Sequence, residues 1–150
     1  MASPVSPSDR FALRLAFAVP ALLLAGAYVS QYGFGLYPCE MCWWQRWPHF
    51  AAIGLALLAT LAPPRRVWIA LAALGIAISG GIGAYHAGVE YGWWESALGC
   101  TGADPFSFDF TRCDEAAWTF LGVSLAGWNA LLSIGSAVAI WVLLLARERA

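Results

Sequence analysis

The chain has 150 residues, of which 61% are apolar and only 11% are charged, and its formal net charge at pH 7 is -1. Soluble domains of this length are about half apolar and about a quarter charged. The composition therefore excludes a chain folded around a single aqueous core and indicates a polytopic membrane protein.

Four apolar segments follow one another along the chain, each long enough to cross a bilayer, which takes about 20 apolar residues. They cover about residues 11–30, 43–61, 67–85 and 128–146. We therefore predict an all-α membrane protein, a four-transmembrane-helix bundle that residues 1–150 form as a single domain. The stretches outside the segments include a tail rich in Pro and Ser (1–9), a short first outer loop (31–42) and a long second outer loop (86–127).

Arginine placement predicts the orientation of the bundle, because cytoplasmic loops of membrane proteins are enriched in basic residues. Six of the eight basic residues fall on one side of a four-segment chain: Arg10, Arg14, Arg65, Arg66, Arg147 and Arg149. Only Arg46 and Arg112 fall on the other side. We therefore expect both termini in the cytoplasm and all four cysteines on the outer side. The first segment also resembles a cleavable signal peptide, whose removal would leave three segments.

A Cys-x-x-Cys pair, Cys39 and Cys42, stands where the second segment begins. Two thiols at this spacing can close a small disulfide ring, and a helix N-terminus stabilises the thiolate that exchange chemistry requires. So short a ring constrains very little chain, and the stabilisation that a disulfide gives falls with the length of its loop. The pair is therefore better suited to thiol–disulfide exchange than to stabilising the fold.

Two other polar residues, Arg46 and His86, lie near this pair in the predicted topology. Arg46 follows Cys42 by four residues, so the two side chains share one face of a helix. A cation there can favour a thiolate and donate hydrogen bonds to the carbonyl oxygen of an acceptor, or it can serve as an interfacial anchor. His86 follows the third segment at the same surface, where it is either a solvated cap or a group that helps to protonate a reduced acceptor.

The second outer loop carries the other two cysteines, Cys100 and Cys113. Four outward-facing thiols could form two structural disulfides, which persist in an oxidising compartment, or could bind zinc. We predict no metal site, because twelve residues separate the second pair and no second Cys-x-x-Cys accompanies it. The carboxylates of Asp114 and Glu115 disfavour a thiolate at Cys113, so Cys100 is the better point of attack for a thiol of another protein.

These residues resemble the DsbB family of bacterial inner-membrane disulfide-generating proteins. The shared features are four segments, an outward Cys-x-x-Cys that enters the second one, an arginine four residues further on, and a second loop with paired cysteines. The matching stretches are PCEMCWWQR at 38–46, YHAGVE at 85–90 and FLGVSLAGWN at 120–129.

The resemblance implies a route for electrons. A DsbA-like periplasmic oxidase with a thioredoxin fold attacks a Cys100–Cys113 disulfide, and Cys100 forms the mixed disulfide. The reduced loop pair then exchanges with Cys39–Cys42. Cys42 passes the electrons to a bound ubiquinone, or menaquinone, drawn from the membrane quinone pool.

The resemblance also implies that Arg46 polarises the ring carbonyl of the quinone and that His86 belongs to the same binding site. No nucleic-acid partner is implied. Two alternatives remain: a four-helix membrane scaffold with structural disulfides, and a thiol enzyme similar to vitamin K epoxide reductase. The latter family normally carries its Cys-x-x-Cys late in the chain, whereas here the motif precedes the second segment.

Overall fold

The computed structural model of the protein describes residues 6–97 and 112–146. These residues form four helices and one short hairpin: α1 (Pro7–Gly33), α2 (Glu40–Leu61), α3 (Arg65–Glu90), β1 (Thr119–Phe120), β2 (Val123–Ser124) and α4 (Leu125–Ala146). The two strands are antiparallel and have only two residues each. The prediction of an all-α protein is therefore confirmed, with the hairpin as a small addition directly before α4.

Three of the helices, α1, α3 and α4, are long and apolar enough to cross a membrane by length and composition. The helix α2 has 22 residues, but its first turns carry Gln45, Arg46, Pro48 and His49, which lower its mean hydropathy. Three candidate membrane spans and a fourth helix of similar length thus make up the helical bundle.

The helix α1 begins earlier than the apolar residues alone indicate. Ser6 is its N-cap and accepts a hydrogen bond from the Asp9 backbone N–H at 3.1 Å, and Pro7 occupies the start of the helix. Both residue types are favoured at these positions, because a cap side chain pairs a free N–H and proline has no N–H to lose. The predicted tail of residues 1–9 was therefore too long, since Pro7–Asp9 are helical.

The loops are correspondingly shorter than predicted. The helix α1 continues to Gly33 and α2 begins at Glu40, so the first connection is confined to residues 34–39. The helix α3 continues to Glu90, which makes His86 a helical residue rather than a loop residue. The last turns of α1 and α3 contain polar side chains, so a count of apolar residues left these turns out of the predicted segments. Residues 86–89 of α3 are nevertheless buried.

The bundle packs closely because small side chains line the helix contacts. Its core contains many alanines beside a few branched residues: Ala12, Ala16, Ala52, Ala56, Ala59, Ala72, Ala73, Ala137, Ile69, Ile76 and Ile140. Within a bilayer, small residues let helix backbones approach and gain van der Waals contact. The alanine-rich core thus corresponds to close helix packing.

The two ends of the bundle differ in chemistry. At one end, Arg66 of α3 lies 3.5 Å from the Asp9 carboxylate of α1 and donates a hydrogen bond to the backbone carbonyl of Leu144 in α4. Cys39 caps the opposite end of α2. The start of α1, the α2–α3 turn and the end of α4 therefore gather at one end, and the thiols of α2 lie at the other.

Candidate redox site

Three cysteines meet where α2 begins. The Cys39 and Cys42 Sγ atoms lie 3.0 Å apart, and Cys113 hydrogen-bonds to the Cys39 side chain. Cys39 and Cys113 are buried, together with Met41 and Val89. Because a disulfide needs its sulfurs about 2.05 Å apart, small movements suffice to join neighbouring members of this cluster. Cys100 lies outside the described residues.

Cys39 is the N-cap residue of α2. Its sulfur accepts the backbone N–H of Cys42 at 3.4 Å, in the place where Ser or Asp commonly caps a helix. Hydrogen bonds with Cys113 and then Cys42, followed by burial, raise the pKa of Cys39 above its usual range, and the helix N–H acts in the opposite direction. Cys39 is therefore held as a thiol or in a disulfide unless another donor stabilises its anion.

Cys113 is buried although acidic residues adjoin it in the sequence. Arg112 donates hydrogen bonds to both carboxylate oxygens of Asp114, at 2.9 and 2.7 Å, and lies 3.2 Å from Glu115. The Arg112 guanidinium holds the pKa of the Asp114 carboxyl below its usual range. The two carboxylates are thus compensated by a neighbouring cation, and they disfavour a Cys113 thiolate less than the sequence alone indicates.

Arg46 is almost fully buried, with 5% of its surface exposed. Its guanidinium donates to the Gln31 side-chain oxygen at 2.7 Å and to the Ala27 carbonyl at 3.4 Å. It also stacks on the rings of Tyr28 and Trp43, each with its centroid 4.8 Å away. A guanidinium has five N–H donors, so these contacts from α1 and α2 orient the group and leave donors for a ligand.

A cavity of about 250 Å³ opens between α1, α2 and α4. Cys42 and Arg46 both line it, and most of the remaining wall is apolar, as in many ligand-binding cavities. Gln45, His49 and Asn129 add polar atoms to the same wall. The cavity thus brings one thiol of the cluster and a buried cation to a single ligand-sized space.

His86 does not line this cavity among the described residues. Its Nε2 lies 3.6 Å from the Cys39 Sγ and 3.7 Å from a carboxylate oxygen of Glu90, one turn further along α3. Its Nδ1 lies 2.9 Å from the side-chain nitrogen of Gln45. The fold therefore brings His86 to the thiols, whereas Arg46 faces the cavity.

The ligand atoms of Cys39, Cys42 and His86 all lie within 4.8 Å of one another. Two thiolates and an imidazole are a donor set that zinc accepts, although structural zinc sites normally have four such ligands. This geometry keeps metal binding as an alternative use of the same side chains.

The sequence profile of one family, described as Disulfide bond formation protein DsbB, matches residues 9–143. The chain belongs to the DsbB family. Relatives named Disulfide bond formation protein B include one from Azoarcus sp. (strain BH72), 37% identical over 95% of this chain and 98% of its own length. Another, from Marinobacter nauticus, is 33% identical over 83% of this chain and 84% of its own length. No solved structure matches the chain significantly.

Membership of the DsbB family, together with the apolar helices, makes the chain a multi-pass membrane protein with disulfide-generating oxidoreductase activity. Three polar residues of this DsbB-family chain line the cavity without having been predicted as site residues: Gln45, His49 and Asn129. His49 lies 2.9 Å from the Ser79 hydroxyl and 3.0 Å from the Asn129 side-chain oxygen. The available signal was the presence of amide and imidazole side chains inside apolar segments, where polar groups are costly unless they are paired or functional.

Proposed function

We propose that the protein is a thiol:quinone oxidoreductase of the bacterial inner membrane that reoxidises a DsbA-like periplasmic thioredoxin-fold oxidase. One observation carries this proposal: Cys42 belongs both to the thiol cluster and to the wall of the cavity that Arg46 lines. A thiol in that position connects exchange chemistry on one side with an acceptor on the other.

The electron route begins with the partner's two thiols. A partner thiolate attacks Cys100 of the Cys100–Cys113 disulfide, and resolution by the second partner thiol leaves both loop cysteines reduced. A Cys113 thiolate then attacks Cys39: the Cys39–Cys113 bond forms, the Cys39–Cys42 bond breaks, and the electron pair stays on Cys42. A Cys100 thiolate next attacks Cys113: the Cys100–Cys113 bond forms again, the Cys39–Cys113 bond breaks, and the electron pair on Cys39 leaves the Cys39–Cys42 pair reduced. The contact between Cys113 and Cys39 supports this order.

The cavity fits the head group of ubiquinone or menaquinone, which presents carbonyl acceptors on a flat apolar ring. Arg46 would hold a carbonyl oxygen with its remaining N–H donors, and Cys42 would lie beside the ring. When bound, the quinone accepts the two electrons and two protons that oxidation of a dithiol releases. Arg46, held by Gln31 and by the Tyr28 and Trp43 rings, supplies positive charge to the cavity that Cys42 also lines.

The position of His86 changes its proposed role. The family resemblance implies that His86 belongs to the quinone site, but its contact with Cys39 and its absence from the described cavity wall favour a role at the thiols. We therefore assign Cys42 and Arg46 to the quinone and His86 to Cys39.

The proposed orientation places the thiol cluster at the periplasmic face and both termini in the cytoplasm. Its support is the arginine distribution in the sequence together with the contacts of Arg66 with Asp9 and Leu144, which bring the start of α1, the α2–α3 turn and the end of α4 to one end of the bundle.

The proposal is tested by mixing the purified protein in detergent micelles with a reduced thioredoxin-fold oxidase and a soluble ubiquinone analogue. We expect catalytic loss of quinone absorbance, matched mole for mole by partner disulfide, and loss of turnover in Cys39→Ser and Cys113→Ser. Gly54→Ala is the matched control, because a methyl group there meets no atom within 4 Å. Absence of quinone reduction would favour a scaffold, and electron flow from quinol to partner disulfides would favour a reductase.

The metal alternative is separated in the same preparation. The redox proposal expects turnover to survive dialysis against a chelator, with no stoichiometric zinc in the purified protein. Stoichiometric zinc, with inactivation on its removal, would instead assign Cys39, Cys42 and His86 to a metal site.

A further inference from the structure

A chain of hydrogen bonds leads from the cavity wall to the sulfur of Cys39. The Asn129 side-chain nitrogen donates to the Gln45 side-chain oxygen at 2.8 Å, and the Gln45 nitrogen lies 2.9 Å from His86 Nδ1. His86 Nε2 in turn lies 3.6 Å from the Cys39 sulfur. The helices α4, α2 and α3 each contribute one member, so the chain forms only in the assembled bundle.

Backbone carbonyls fix the orientation of both amides. A carbonyl oxygen can only accept, so an amide atom that bonds to it must be the nitrogen. The Gln45 nitrogen donates to the Met41 carbonyl at 3.1 Å, and the Asn129 nitrogen donates to the Ser79 carbonyl at 3.2 Å. Turning either amide over would place two oxygens against each other.

The orientation of Gln45 decides which ring nitrogen of His86 carries the proton. Because the Gln45 nitrogen is a donor, His86 Nδ1 must be the acceptor, and a neutral imidazole then carries its single proton on Nε2. That nitrogen faces Cys39 and Glu90, and because the ring also donates to the backbone of Cys113, the single Nε2–H is shared between that backbone and the Cys39 sulfur. The 3.7 Å separation from the Glu90 oxygen is too long for an N–H···O hydrogen bond, whereas 3.6 Å suits the larger sulfur.

We propose that Gln45, held by Asn129, is a positioning residue that fixes His86 as the Nε2–H tautomer, so that the ring donates a hydrogen bond to the Cys39 sulfur. This inference rests on the proposed function, because it concerns Cys39 as a leaving group. When the Cys100 thiolate attacks Cys113 of a Cys39–Cys113 disulfide, the Cys100–Cys113 bond forms, the Cys39–Cys113 bond breaks, and Cys39 keeps the electron pair. The His86 N–H then faces the anion that this step creates.

The first test is direct observation of the tautomer. The chain has only two histidines, so ¹⁵N-histidine labelling and a His86→Ala reference spectrum assign the imidazole of the reduced protein in micelles. We expect Nε2 to carry the proton in the unaltered protein. In Gln45→Glu, an isosteric change that replaces the donor with an acceptor, we expect the proton on Nδ1. A proton on Nδ1 before the substitution, or an unchanged spectrum after it, would overturn the proposal.

The second test measures the Cys39 thiolate by its ultraviolet absorbance in a protein whose other three cysteines are alanine. We expect Gln45→Met to raise the measured pKa of Cys39 by about one unit, as loss of one hydrogen bond to a charged group should. His86→Ala should give a similar rise, and the double variant should add little to it. Gln31→Met is the matched control, because that amide bonds Arg46 instead of His86.

An equal rise of the Cys39 pKa in Gln31→Met, or additive effects of Gln45→Met and His86→Ala on that pKa, would contradict the proposal. Either result would show that Gln45 has only a structural role. Neither test contains a quinone. If the tautomer is found and quinone reduction fails, the proposed function is wrong while the positioning role of Gln45 stands.

Discussion

At the scale of single residues, Arg46 shows how a buried charge is accommodated in an apolar bundle. It is paired with side-chain and backbone oxygens of α1 and lies against two aromatic rings. These contacts require a flat group with several donors, which arginine has and lysine lacks. The same contacts hold the guanidinium at the cavity.

We predict that Arg46→Lys raises the KM for a soluble quinone by about tenfold, since it keeps the charge but loses the stacking and the fixed donor geometry. Steady-state kinetics with varied quinone concentration measure the change. Arg10→Lys, at an exposed position of α1 away from the cavity, is the control and should leave KM unchanged. An unchanged KM in Arg46→Lys would show that Arg46 is only an interfacial anchor.

At the scale of elements, α3 has one face on which glycine is required and another on which it is not. A Cβ at Gly80 would lie 2.8 Å from the Ile134 side chain and 3.1 Å from the Ile134 backbone nitrogen of α4. A Cβ at the next residue, Gly81, would meet no atom within 4 Å. Contact between α3 and α4 therefore depends on the first glycine and not on the second.

We predict that Gly80→Ala destabilises the protein by about 1–3 kcal/mol, because the added methyl group overpacks the α3–α4 contact. Gly81→Ala should be neutral or slightly stabilising, because alanine is the better helix former. Thermal or denaturant unfolding of the two variants in the same micelles measures the difference. Equal stability of the two variants would contradict the packing argument.

The helices and the Cys42–Arg46 face could be predicted from the sequence because both depend on residues close together in the chain. Apolar segments mark helices directly, and residues four apart share a helix face. The contacts of His86 with Gln45 and Cys39 join residues more than 40 positions apart. They depend on how each helix is rotated about its axis, which composition and spacing do not determine.

At the scale of the whole molecule, the bundle is divided along its length. Alanines and branched residues pack towards the arginine-rich end, a polar network centred on Asn129 crosses the middle, and the thiols gather at the far end. The cavity lies beside the network and reaches the thiols only at Cys42 among the described cysteines. In the proposed function, this arrangement makes Cys42 the exit for electrons from the described thiol cluster.

A single-turnover experiment tests that exit most directly. The fully reduced protein is mixed with one equivalent of a soluble quinone, and quinone absorbance is followed. We predict that the unaltered protein and Cys100→Ser each reduce the quinone, because the reduced Cys39–Cys42 pair suffices, and that Cys42→Ser does not. Quinone reduction that survives in Cys42→Ser, or that is lost equally in Cys100→Ser, would show that electrons do not leave through Cys42.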